Sequence, residues 1–201
     1  MKKSVLIYVP ILLFLTVFLA AMPISGEEAL YNDVIRLHIL AASDSEEDQR
    51  NKLAVRDAVM REYGAAFSAC RTRAEAAALA EEYIPAIQAL AEETLASQGA
   101  KDTVRVTLTE ESYDRRYYSR FAMPAGEYLS LRVLIGDAEG KNWWCVLFPP
   151  LCTESATGET AYDDDTLPVG LTPAEYRLIT GDSEAYVVRF KILEILSGVG
   201  K

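Results

Sequence analysis

Helical and strand-like periodicities occupy separate parts of this chain, and their order constrains the fold more than any other feature. Apolar residues recur with helical spacing up to about Phe67, and again between Leu79 and Leu95. From Thr103 onward the spacing changes to two, which is typical of strands. Helices followed by strands, without the regular alternation of a parallel α/β sheet, predict a single α+β domain. We expect two N-terminal helices packed on a mainly antiparallel sheet.

Four segments carry the strand pattern. In residues 34–40 the apolar positions alternate with Arg36 and His38, which predicts a strand half buried against the core. The alternation returns after Thr103, in residues 127–135 and in residues 143–148. A turn sequence at residues 137–140 separates the last two segments, so we expect them to form a hairpin.

Capping motifs mark the predicted helix starts. Ser43, Asp44 and Ser45 offer caps for the first helix, with Glu46 three residues after Ser43 as a capping-box partner. Thr72 followed by Glu75 predicts a capping box for the second helix. Pro85 lies inside the second helical segment, where we expect it to kink or break the helix. Thr172 followed by proline predicts a further helix start near the C-terminus.

The N-terminus has the pattern of an export segment. Lys2 and Lys3 precede an uncharged apolar run over residues 5–21. Residues 1–26 are therefore either a cleaved signal peptide or a retained membrane anchor, and both place the remaining chain outside the cytoplasm. Residues 27–201 then form the single domain. Within it, residues 153–170 are rich in Ser, Thr, Gly and Asp, which predicts a mobile loop.

The charge restricts the class of partner. The chain carries a formal net charge of −10 at pH 7. Such an acidic surface disfavours nucleic acid, whose binding depends on Lys and Arg neutralising phosphates, and it disfavours anionic lipid headgroups. We expect membrane contact only through the N-terminal segment, no small-molecule substrate, and a protein partner.

Residues 142–152 concentrate both tryptophans, two of the three cysteines and a Pro149–Pro150 step. Trp143 and Trp144 are adjacent on a predicted strand, so their side chains should point to opposite faces, one of them inward. In an oxidising compartment Cys145 and Cys152 can form a disulfide, which would leave Cys70 as a spare thiol. Three unpaired, buried cysteines remain the alternative. The stretch is a structural clasp, a partner-binding surface, or both.

Catalytic chemistry has little support in the sequence. A hydrolase would pair His38, the single histidine, with Ser43 or Cys145 as nucleophile. The sequence lacks a nucleophile elbow, and a strand histidine is more often a structural residue. One histidine and two cysteines do not match zinc spacing, so we expect no metal and no cofactor.

Two blocks of sequence resemble the stage II sporulation protein R family. The first runs from Ile35 to Ser45 and continues through residues 48–59, and the second runs from residue 124 to Cys152. Ala42, where the family pattern has Asn, and the turn at residues 137–140 depart from it.

The resemblance implies an exported signalling protein without catalytic activity. Family members are secreted into the space between the forespore and mother-cell membranes, where they activate a membrane-embedded aspartic protease. That protease then processes the inactive precursor of the early mother-cell sigma factor. On this interpretation the candidate partner-binding residues are Trp143, Trp144, Pro149, Pro150, His38 and Arg36. The alternative is an extracytoplasmic envelope hydrolase that uses His38 with Cys145 or Ser43.

Overall fold

Along the chain, two long helices follow the first strand and precede the second. The computed structural model describes residues 12–14, 16, 30–118, 121–151 and 169–180. In chain order its elements are β1 (Ile35–Leu40), α1 (Glu46–Ala69), α2 (Arg73–Ser97), β2 (Val104–Tyr113), β3 (Arg116–Tyr117), β4 (Ala122–Met123), β5 (Gly126–Ile135), β6 (Asn142–Phe148) and α3 (Pro173–Thr180). The predicted α+β class is confirmed. The predicted export segment, apart from residues 12–14 and 16, lies outside the described residues, as does the predicted loop up to residue 168.

The first helix begins after Ser45, the last of the three residues that the sequence offers as caps. Ser45 is the N-cap of α1, and its hydroxyl accepts a hydrogen bond from the Asp48 backbone N–H at 3.1 Å. The predicted capping box of Ser43 with Glu46 is therefore wrong. Ser43 instead donates its hydroxyl proton to the Asp48 carboxylate and accepts from the Ser45 backbone N–H at 3.1 Å. It supports the cap from two residues earlier.

The second helix follows its predicted start but not its predicted break. Thr72 caps α2 by accepting from the Glu75 backbone N–H at 3.2 Å, and the Glu75 carboxylate reaches back to the Arg71 backbone N–H at 2.8 Å. Pro85 lies inside the helix, which continues unbroken to Ser97. Burial on both sides of the proline explains why tertiary packing outweighs its cost. The buried α2 residues are Ala76, Ala80, Ile87, Ala91 and Leu95.

The four main strands form a mixed sheet in the order β2-β5-β1-β6. Strand β1 runs parallel to β5 and antiparallel to β6, while β2 runs antiparallel to β5. The predicted hairpin of β5 with β6 is wrong, because β1 lies between them. The expectation of a mainly antiparallel sheet missed the parallel pair at its centre.

The connection from β5 to β6 crosses the end of β1. The Gly140 backbone N–H donates to the Ala41 carbonyl at 3.0 Å, and the Glu139 N–H donates to the Ala42 carbonyl at 3.3 Å. The Lys141 N–H donates to the Asp44 carboxylate at 2.7 Å. Because neighbouring strands are about 4.8 Å apart, a connection of this length easily spans the width of one intervening strand. The two signature blocks thus join at this point.

Strand β1 is the centre of the hydrophobic core. Ile35, Leu37 and Ile39 are fully buried on one face of the sheet. Trp143 is the register partner of Ile39 and contacts Arg56 of α1, so this is the face towards that helix. Buried side chains of both long helices join those of the strands in one cluster, which includes Val55, Val59, Phe67, Ile87 and Leu95.

Candidate functional site

Polar side chains line the face of β1 opposite the hydrophobic core. Arg36 and His38 alternate with the apolar residues of β1 and therefore point the other way. They are 0% and 5% exposed, so the expectation of a half-buried strand with a polar outer face is wrong. We call the group around them the polar layer. It consists of Arg36, His38, Glu111, Tyr113, Arg116, Tyr118, Ser130, Arg132 and Trp144.

Glu111 of β2 is the acceptor at the centre of the polar layer. The Nδ1 atom of His38 lies 2.9 and 3.0 Å from its two carboxylate oxygens. Because a carboxylate only accepts, Nδ1 carries the proton and donates. Tyr113 donates its hydroxyl to the same carboxylate at 2.8 Å, and Arg132 Nε lies 3.3 Å from it. One carboxylate therefore serves three side chains.

Burial changes the acid–base properties of this group. It lowers the pKa of His38, against the opposing effect of the Glu111 hydrogen bond and charge. It also raises the pKa of Tyr113, whose hydroxyl is 2.8 Å from that of Ser130. At neutral pH the imidazole is uncharged and both hydroxyls keep their protons, so His38 positions neighbouring groups through hydrogen bonds and stacking.

Arg36 is held by aromatic rings. Its guanidinium carbon lies 3.8 Å from the centre of the Tyr113 ring and 5.1 Å from that of Tyr128. Nη2 donates to the Tyr118 hydroxyl at 2.7 Å. Nε and Nη1 are buried and have no hydrogen-bond partner among the residues described. Cation–π contact stabilises the charge here without supplying an acceptor for those two nitrogens.

The two tryptophans point to opposite faces of β6, as their adjacency predicts. Trp143 lies on the core face, with the Arg56 guanidinium 5.3 Å from its ring centre. Trp144 stacks on His38 at 5.4 Å between ring centres, and the Arg116 guanidinium lies 3.7 Å from its own. The sequence left open whether one of the two tryptophans is exposed to solvent. Both indoles are half-buried, so neither is fully exposed. Each is covered in part by an arginine.

The remaining predicted site residues are largely enclosed. Pro149 and Pro150 are buried, and so is Cys145, on the core face of β6 opposite Leu37. Cys152 lies outside the described residues, so its bridge to Cys145 stays a prediction. Cys70 is a free, half-buried thiol, and burial raises its pKa.

A family model matches residues 31–158, which include the six strands that the structure describes and the whole polar layer. It is the model of stage II sporulation protein R. This chain belongs to the stage II sporulation protein R family. A curated relative with that name, from Bacillus subtilis (strain 168), is 35% identical over 176 residues, covering 82% of this chain and 78% of the relative. No solved structure matches the chain. The resemblance read from the sequence is confirmed.

The structure separates the groups that a hydrolase in this family would need. His38 has Glu111 as its hydrogen-bond partner, whereas the Ser43 hydroxyl bonds to Asp48. Cys145 projects from the opposite face of the sheet, since its register partner is Leu37. Within the described ranges, no group of three or more His, Cys, Asp or Glu side chains is arranged to hold a metal ion. In the same ranges, no helix combines the length and apolar composition needed to cross a bilayer.

Sequence reasoning missed most of the polar layer. Glu111, Tyr113, Arg116 and Tyr118 lie in a segment that reads only as polar and tyrosine-rich. Arg36 reaches Tyr118 across 82 positions of sequence, and His38 reaches Glu111 across 73. The available signal was the two polar residues inside β1, a strand that turns out to lie at the centre of the sheet.

Proposed function

We propose that this protein is an exported sporulation signal that activates a membrane-embedded aspartic protease. The protease then processes the inactive precursor of the early mother-cell sigma factor. Membership in the stage II sporulation protein R family is the observation that carries this proposal. The match includes every described strand, so it concerns the folded domain as a whole and not a short motif.

The site of action is the space between the forespore and mother-cell membranes. Lys2 and Lys3, followed by the uncharged residues 5–21, support export, with residues 1–26 acting as a cleaved signal or an anchor. An oxidising compartment would also favour the proposed Cys145–Cys152 bridge.

The protein acts as a ligand and not as a catalyst. The pairing of the buried His38 with the half-buried Glu111 supports this, because its hydrogen bonds tie β1 to β2 and the hydroxyl of Ser43 and the thiol of Cys145 are placed elsewhere. A ligand activates a protease only if it binds the active state more tightly than the inactive one. Trp143 and Trp144 remain the first contact candidates from the sequence. The burial of Arg36, His38, Pro149 and Pro150 gives those four a supporting position beneath the surface.

The proposal is tested in cells that make the protease and the sigma-factor precursor. The precursor is followed by immunoblot with the full chain, without it, and with a variant that lacks residues 1–26. We expect processing only with the full chain, since the shortened one stays on the wrong side of the membrane. Processing without the chain, or undiminished processing with the shortened one, would contradict the proposal.

A further inference from the structure

Positive charge exceeds negative charge within the polar layer, although the protein as a whole is strongly acidic. Arg36, Arg116 and Arg132 are its cations, and Glu111 is its one carboxylate. Glu111 already accepts from His38 and Tyr113 and lies beside Arg132. The single carboxylate of the polar layer therefore interacts with three side chains other than Arg36 and Arg116.

Arg36 and Arg116 retain donors without acceptors. Nε and Nη1 of Arg36 and Nε of Arg116 are buried and lack a hydrogen-bond partner in the described part of the chain. A buried donor left unpaired is destabilising, and more so when it is charged. The rings of Tyr113 and Trp144 hold the two guanidinium groups but cannot accept in the guanidinium plane. Arg36 is fully enclosed, whereas the Arg116 side chain is only half-buried, so a carboxylate from outside can approach the Arg116 guanidinium.

Strand β3 connects these cations to the surface. Arg116 extends over Trp144, and Tyr118 accepts the hydrogen bond from Arg36. Tyr117, between them in sequence, faces solvent and is 78% exposed, the largest exposure of any large hydrophobic side chain in residues 30–118, 121–151 and 169–180. Arg116 and Tyr117 are adjacent on β3, so one side chain points to the polar layer and the other to solvent. Tyrosine and arginine are both among the residue types that dominate binding energy in protein interfaces.

We propose that the hairpin of β3 and β4 is the docking surface for an acidic segment of the protein partner, with Tyr117 as the aromatic anchor and Arg116 as the cation that binds a carboxylate. This inference rests on the proposed function, because it takes the activated protease as the partner. The net charge of −10 repels acidic segments from most of the surface. Arg116 on the hairpin attracts such a segment, so its charge influences where the partner docks as well as how tightly it binds.

Two substitutions test the surface in the processing assay described above, with the amount of each variant titrated by its inducer. Arg116→Glu reverses the charge. Tyr117→Ser removes the aromatic anchor. Because the Tyr117 side chain is largely exposed, the fold does not depend on it. The matched controls on α1 are Arg61→Glu, the same change at an exposed arginine, and Leu53→Ser at a 37% exposed leucine. Immunoblots of the secreted chain show whether each variant accumulates to the wild-type level.

We expect both hairpin variants to need roughly tenfold more protein for half-maximal processing, as for loss of an interface hot spot. Both controls should behave as the wild type. Full processing with Tyr117→Ser at wild-type amounts overturns the docking surface, and so does an equal loss in the controls. A wild-type chain that triggers no processing refutes the proposed function instead, so the two failures are distinguishable.

Discussion

Gly140, in the second signature block, packs directly against the backbone of the first. A Cβ atom there would lie 2.2 Å from the Ser43 carbonyl oxygen and 2.5 Å from its carbon. Both are backbone atoms, which cannot rotate away as the end of a side chain can. We therefore predict that Gly140→Ala forces the β5–β6 connection off the end of β1.

The cost follows from the contacts that the displaced connection loses. These are the hydrogen bond from Gly140 N–H to Ala41, at 3.0 Å, and the charge-assisted one from Lys141 N–H to Asp44, at 2.7 Å. At about 1 kcal/mol for the neutral bond and about 2 kcal/mol for the charged one, partial loss of both destabilises the protein by roughly 2–3 kcal/mol. For a domain of this size that lowers Tm by roughly 5–10 °C.

Gly64 provides the matched control. It lies inside α1, and a Cβ atom there would be 3.7 Å from the Met60 side chain, an ordinary contact. Alanine is favoured over glycine in a helix by up to about 1 kcal/mol, so Gly64→Ala should leave Tm unchanged or raise it. Thermal unfolding followed by far-UV circular dichroism measures both variants. Equal Tm values for the two would refute the reasoning about the close approach at Gly140.

Three further predictions concern pH, the second helix and the tryptophans. Burial holds the pKa of His38 below its usual 6.5, so the folded state binds fewer protons than the unfolded one and stability falls as pH drops through that value. Urea unfolding at about pH 7 and 5 should therefore show a smaller loss for His38→Gln than for the wild type; an equal loss would count against a buried neutral imidazole. Pro85→Ala restores a helical N–H at an exposed position of α2 and should raise the free energy of unfolding in urea by roughly 1–2 kcal/mol. An unchanged or lower free energy of unfolding would contradict this prediction. Trp144→Ala should reduce sigma-factor processing more than Trp143→Ala, since Trp144 supports Arg116; wild-type processing by both, at normal secreted amounts, would remove β6 from the contact surface.

Features set by neighbouring residues could be predicted from the sequence. The Thr72–Glu75 cap depends on residues three apart, and the alternation that becomes β5 depends on successive side chains facing opposite sides. The opposite orientation of Trp143 and Trp144 follows from the same rule. Each pattern is complete within one element, so no knowledge of the tertiary fold is needed to interpret it.

Features set by distant residues could not. The turn at residues 137–140 is compatible with a hairpin, and only the pairing of β1 with both strands shows that β1 separates β5 from β6. Arg36 and His38 alternate with apolar residues as a solvent-facing side would. They are buried because Glu111 of β2 and Tyr118, the residue after β3, cover them. Binary patterning distinguishes apolar from polar faces, but it does not show that a polar face is covered.

The central claim is that this protein activates its protease by binding and not by chemical modification. The most direct measurement is the initial rate of precursor cleavage in membrane vesicles that carry the protease, with the purified protein added at increasing molar ratio on the side opposite the precursor. If the protein is a ligand, the initial rate of cleavage rises with the molar ratio and saturates when every protease molecule is occupied. At each ratio the full rate is reached without a delay. A rate that reaches its maximum at a small fraction of equimolar protein, given enough time, would mean turnover and would contradict the account.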